Sequence, residues 1–112
     1  MRDTSFRDFV LDQLDGLPGV RARAMFGGHG LYLEEEFFGM IVKGRLYLRT
    51  DERSREEYRE LGSEPVPFGD DPAGNSYWSV PEDVLEDARR LREWARAAAL
   101  VPRKPKRRLR KS

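Results

Sequence analysis

Residues 20–50 constrain the fold more than any other part of the chain. They hold four short apolar stretches, "VRARAM", "GLYLE", "FFGMIV" and "RLYLR". A glycine cluster, the glutamates at 34–36 and the pair "KG" separate them. The first stretch alternates apolar and charged residues, as a half-exposed strand does. Lys43 and Gly44 are short enough for a two-residue hairpin turn. Joined in this way, the four stretches read as consecutive antiparallel strands.

Register follows from the turns. The Lys43–Gly44 turn places Ile41 opposite Leu46 and Gly39 opposite Leu48. To keep Leu31 and Leu33 on that same face, the glutamate turn must have an odd length, with Leu33 opposite Phe37. One face is then Leu31, Leu33, Phe37, Ile41, Leu46 and Leu48, which is a core. The other carries Tyr32, Phe38, Met40 and Tyr47 with Arg45 and Arg49. That face is too apolar to leave to solvent, so either the last helix covers it or a partner does.

Helices flank this sheet. Thr4 and Ser5 cap a first helix that uses Phe6, Phe9, Val10, Leu14 and Leu17 at helical spacing and stops near Gly16 and Pro18. Asp51 caps a short helix running to about Leu61, which Gly62 ends. The Pro-, Gly- and Asp-rich segment "SEPVPFGDDPAGNS" is a loop, followed by a last short strand at "YWSV". A single helix from Pro81 to Leu100 then presents Val84, Leu85, Ala88, Leu91, Ala95 and Ala98, with Trp94 beside them. The order α-β-β-β-β-α-β-α, with about five strands, is an α+β domain on an antiparallel sheet.

At 112 residues the chain fits one domain. Its longest apolar run, Phe37 to Val42, is far too short to span a bilayer, and no signal peptide is read at its start. The sequence contains no cysteine, which removes disulfides, thiolate chemistry and Cys-based zinc sites and fits a cytoplasmic protein. The net charge of +1 hides an uneven split. Residues 103–112 carry Arg103, Lys104, Lys106, Arg107, Arg108, Arg110 and Lys111 and no acid. The remainder holds fourteen basic and twenty acidic residues, a net of −6. The expected organisation is therefore a folded domain over 1–101 and a basic, disordered tail over 102–112.

"GGHG" at 27–30 invites a phosphate-binding reading, but the glycines stand between two strand patterns and no helix follows them. Gly27, Gly28 and Gly30 are read as a structural turn that needs positive φ or close backbone packing. His29 is the chain's one histidine and has neither a nucleophile nor an orienting group marked out for it. Glu34 to Glu36 and the loop residues Asp70, Asp71 and Asn75 lack calcium-loop spacing. Neither a metal nor a cofactor is expected.

The stretch "RAMFGGHGLYLEEEFFGMIVKGRLYLRTDE", followed by "YRELGSEPVPF" and "YWSVPEDVLEDARRLREWARAA", resembles the TfoX N-terminal domain family, also called TfoX/Sxy. "MFGGHGLY" (Met25 to Tyr32) and the Tyr77 to Asp87 run carry most of the likeness, which extends from about Phe6 to Leu100. The resemblance implies a two-layer domain like the secretion-chaperone fold. It also implies kinship with bacterial competence regulators, which assist transcription at promoters governed by the cyclic-AMP receptor protein. The two-domain members carry a helical C-terminal domain, whereas this sequence runs into "PRKPKRRLRKS", so a stand-alone domain is expected.

Two functions stay open. One is a non-enzymatic regulatory or adaptor domain that meets protein partners, among them the transcription machinery or a second copy, through the Tyr32, Phe38, Met40 and Tyr47 face. The other is nucleic-acid binding, unspecific through the tail and helped by aromatic residues with Arg45 and Arg49 on the sheet. An enzyme ranks last, since only carboxylates and hydroxyls are left to work with. No membrane partner is expected.

Overall fold

The computed structural model describes residues 4–25, 27–70 and 75–101. The elements are α1 (Ser5–Gln13), β1 (Val20–Met25), β2 (Gly28–Leu33), β3 (Glu36–Val42), β4 (Arg45–Thr50), α2 (Glu52–Glu60), β5 (Ser76–Ser79), α3 (Glu82–Leu85) and α4 (Ala88–Leu100). The five strands form one antiparallel sheet in sequence order, β1-β2-β3-β4-β5. The fold is the α+β arrangement that the strand and helix pattern implies.

Turn chemistry sets the hairpins. Lys43 and Gly44 have φ of 49° and 75°, so both central residues of the β3–β4 turn lie in the left-handed region, as a twisted two-residue hairpin requires. Ile41 faces Leu46 and Gly39 faces Leu48, as expected. The β2–β3 hairpin differs from expectation. Its turn is Glu34–Glu35, with Glu34 at φ 58°, and Leu33 faces Glu36 instead of Phe37. The register then slips by one residue on β3, because Leu31 faces Gly39 while Tyr32 faces Phe37. Phe38 is the extra residue of this bulge. The bulge exchanges the two phenylalanines. Phe38 joins the core of Leu31, Ile41, Leu46 and Leu48, and Phe37 lies on the other face against Tyr32.

All four helices serve the Phe38 side. Val10, Leu14 and Leu17 from α1 and the segment after it meet Leu91, Ala95 and Ala98 of α4, Val84 of α3 and Tyr58 of α2 in one buried cluster. The last helix therefore does not cover the second face. Nor is it continuous. Asp87 leaves helical backbone and its carboxylate accepts the Arg90 N–H at 3.2 Å, restarting the helix as α4. In α2, Asp51 and Ser54 form a reciprocal capping box, the Ser54 N–H donating to Asp51 Oδ1 at 2.8 Å and the Asp51 N–H to Ser54 Oγ at 3.0 Å. At its other end the Ser63 N–H reaches the Tyr58 carbonyl and the Gly62 N–H the Arg59 carbonyl, a Schellman closure around Gly62 at φ 84°.

The second face is closed in part by the segment after α2. Val66 packs with Met40, Tyr47 and Tyr77 in a small separate cluster. The same segment lies along the outer edge of β5: the Ser79 N–H donates to the Glu64 carbonyl at 2.9 Å and the Val66 N–H to the Tyr77 carbonyl at 2.8 Å. Among the described residues, no helix is long and apolar enough to cross a membrane.

Candidate interaction surface

The glycine motif shapes the second face. Only Gly27, at φ 79°, lies in the β1–β2 turn, whereas Gly28, His29 and Gly30 are part of β2. The cluster is thus mostly strand, so only Gly27 fits the turn reading, while Gly28 and Gly30 serve the close backbone packing. The reason is close approach. A Cβ on Gly28 would overlap the Ile41 carbonyl oxygen of the neighbouring strand. One on Gly30 would sit 2.8 Å from Phe37 Cε1 and 2.9 Å from Met25 Cε. Gly30 therefore makes a dent over which Met25 and Phe37 close. His29 lies inside β2, opposite Ala24 and Ile41.

From that dent a ribbon of rings crosses the sheet. Tyr32 meets Phe37 edge-on at 5.3 Å, Phe37 meets Tyr77 at 5.8 Å, and the Arg21 guanidinium lies 5.2 Å above the Tyr32 ring. Met40, Tyr47 and Tyr77 are buried with Val66. Met25, Tyr32, Phe37 and Val42 remain half exposed, and Arg21 and Arg23 are exposed.

The six residues expected to share this face are thereby separated. Tyr32, Met40 and Tyr47 lie on it, the last two covered. Phe38 belongs to the opposite core. Arg45 is exposed at the start of β4, 4.0 Å from Glu64. Arg49 is only 3% exposed. Its guanidinium donates to Glu36 Oε2 at 2.9 Å and to the Ala98 and Ala99 carbonyls at 3.3 and 3.4 Å. Those carbonyls belong to the last turn of α4, where Ala98 also accepts the Val101 N–H at 3.2 Å, and a cation there suits the helix dipole. Arg49 is a helix tether. Sequence reasoning missed Met25, Arg21, Arg23 and Phe37 as members of the surface. The alternation of "VRARAM" carried the signal for the first three. The tail cations, Arg103 through Lys111, lie outside the described residues.

Chemistry elsewhere is sparse among the described residues. A half-open cleft of about 580 Å³ runs between the start of β4 and α3, lined by Phe6, Arg45, Leu61, Ser63, Val80 and Leu85 among others. Ser63 Oγ is buried there without a hydrogen-bond partner, so no base is bonded to it. No group of three or more metal-ligating side chains is brought together among the described residues. Among the described residues, Asp51 and Tyr58 show clear shifts in proton affinity. Hydrogen bonding from Ser54 holds the Asp51 carboxyl below its usual range. Burial, with Glu57 nearby, pushes the Tyr58 hydroxyl well up, and that ring packs 4.6 Å from Trp94.

Comparison with known proteins places the sequence in a family. Residues 12–101 match the TfoX N-terminal domain. An uncharacterized 12.7 kDa protein in the trpE 5′ region of Spirochaeta aurantia is 36% identical over 108 residues, covering 93% of this chain and 88% of that protein. The DNA transformation protein TfoX1 of Aliivibrio fischeri is 43% identical over 42 residues, which is 38% of this chain and 20% of that relative.

Proposed function

Since the chain belongs to the TfoX N-terminal domain family, we propose that it is a non-enzymatic regulatory or adaptor domain, acting through protein contacts in the cytoplasm. The observation that carries the reading is the uncovered half of the second face. There Met25, Tyr32 and Phe37 stay half exposed beside Arg21 and Arg23. Aromatics, Met and Arg are what interfaces favour. The name of the Aliivibrio relative, a DNA transformation protein, supports a place in the control of DNA uptake. The basic tail adds unspecific attachment to nucleic acid, and no cofactor enters.

The test is sedimentation velocity of the full chain mixed with RNA polymerase holoenzyme and the cyclic-AMP receptor protein. Co-migration that is lost when Tyr32 and Phe37 are both replaced by Ala is the expected result. Independent sedimentation of the full chain would remove transcription machinery as the partner.

A second reading, a small nucleic-acid-binding protein, draws on Arg21 stacked over Tyr32 and on the tail. It loses Arg49, which is buried against α4. Fluorescence anisotropy with labelled duplex DNA separates the two contributions. The full chain should bind, with log K falling by roughly 0.9 per log salt for each phosphate neutralised. A chain ending at Val101 should not bind. Retained affinity and salt slope in the shortened chain would move nucleic-acid binding onto the sheet.

A further inference from the structure

The two edges of the sheet are treated differently. The β5 edge is covered by Glu64–Val66, with Pro65 bridging to Trp78. The β1 edge is bare: β1 is the terminal strand, and among the described residues no backbone group bonds to its outer side. Ladder geometry tells which groups are left open. The Glu34 N–H donates to the Gly19 carbonyl at 2.9 Å, which fixes the phase of the β1–β2 ladder. Arg21, Arg23 and Met25 then turn their N–H and C=O groups toward β2, and Val20, Ala22 and Ala24 turn theirs outward. Two of these three outward residues are alanines, whose side chains shield nothing.

Side chains select what can pair there. Arg21 lies opposite Tyr32 and stacks on it, so Arg21 and Arg23 stand on the Tyr32–Phe37 face. Val20 and Ala22 pack toward the helix-side core. A second copy fits poorly. In a two-fold antiparallel pairing, outward residues must face outward residues. The well-overlapped registers then put Arg21 against Arg23, Arg21 against Arg21 or Arg23 against Arg23 of the other copy. Nucleic acid would meet the guanidinium groups but offers no strand ladder to the open amides. The arrangement asks for an extended chain with carboxylates at alternate positions and apolar residues between them.

We propose that the open edge of β1 receives an acidic extended segment of a partner protein, of pattern acid–apolar–acid, as an added antiparallel strand. Its carboxylates lie against Arg21 and Arg23, and its apolar side chains lie on the α1 side of the sheet. This rests on the reading of the chain as a protein-contact domain and names the chemistry of its partner.

The test uses the full chain and a fluorescein-labelled peptide, Thr-Glu-Val-Glu-Val-Glu-Thr, against its lysine counterpart. The acidic peptide should bind, and binding should slow amide exchange at Val20, Ala22 and Ala24, while the Arg21 and Arg23 amides are protected already. Ala22→Pro removes an outward N–H at a position where an edge strand tolerates proline, and should weaken binding roughly tenfold. The double variant Arg21→Glu with Arg23→Glu should reverse the preference toward the lysine peptide, which keeps the test decisive if the proline variant misfolds. Three results would overturn the proposal: equal binding of both peptides, binding of the acidic peptide with no slowing of exchange at Val20, Ala22 and Ala24, or a dimer with the outward β1 amides protected in the free chain. Co-migration with polymerase alongside no peptide binding would reject the edge while leaving the adaptor reading intact.

Discussion

The two faces of the sheet are built from the same strands, yet they become different things. On one, Leu31, Phe38, Ile41, Leu46 and Leu48 lie under side chains from all four helices and form the larger buried cluster. On the other, Met40, Tyr47 and Tyr77 form a small buried cluster with the loop residue Val66, Phe37 and Val42 pack against it, and the rings of Tyr32 and Phe37 are left half exposed. Alternation along the strands supplies apolar residues to both faces. What distinguishes them is the partner available. α1 and α4 each bring several apolar residues at helical spacing, whereas the segment after α2 contributes one valine to the buried cluster of its face. The helix side therefore holds the larger share of the buried core, and the other side is the one proposed above as a contact surface.

The largest test of that difference uses two adjacent residues. Phe38→Ala removes a fully buried ring from the helix-side core and should cost about 3–5 kcal/mol in urea unfolding. Phe37→Ala removes a half-exposed ring from the other face and should cost about 1 kcal/mol, mostly through its contacts with Tyr32 and Tyr77. Equal losses would mean that the bulge does not sort the two rings as described. Between these lies Gly28→Val. Its side chain would be driven into the Ile41 carbonyl, forcing β2 and β3 apart for about 2–3 kcal/mol. Loss of partner binding at full stability would instead give the glycine motif a role in function.

How much of this could be read beforehand depends on whether the deciding contact is local. The β3–β4 register was legible because Lys43–Gly44 suits only a tight hairpin, and the alternation on both sides then follows. The β2–β3 register was not. Three successive glutamates accommodate a two- or a three-residue turn, and Phe37 and Phe38 both satisfy an apolar position. Only packing across the sheet, with Phe37 leaning over Gly30, chooses between them. Arg49 reads as an exposed strand cation because the carbonyls that hold it lie in α4, about fifty residues away, and exist as acceptors only once that helix has docked. The break at Asp87 was within reach, since an aspartate immediately before a helical run is a cap as readily as a helix member. The strap of the second face had no such signal, because "EPVPF" carries no periodicity that would announce a strand-like edge.

The smallest effect concerns α2, which joins the two sides: its Tyr58 enters the helix-side core, and its C-terminus leads into the strap. Asp51→Ala removes the capping box and should cost about 1 kcal/mol near neutral pH. The sign with pH follows from the hydrogen bonds that Ser54 gives the carboxylate. They hold its folded proton affinity below the ordinary value of 3.8, so their contribution is complete above that value and fades as pH falls through the lower, folded one. The stability difference between wild type and variant should therefore be flat from neutral pH down to about 5 and close progressively below about 4. Amide exchange should quicken in the first turn of α2 and stay unchanged where the Val66 N–H meets the Tyr77 carbonyl. If the strap loosened equally, α2 and the strap would form one cooperative unit, and the two faces would not be energetically separable through this helix.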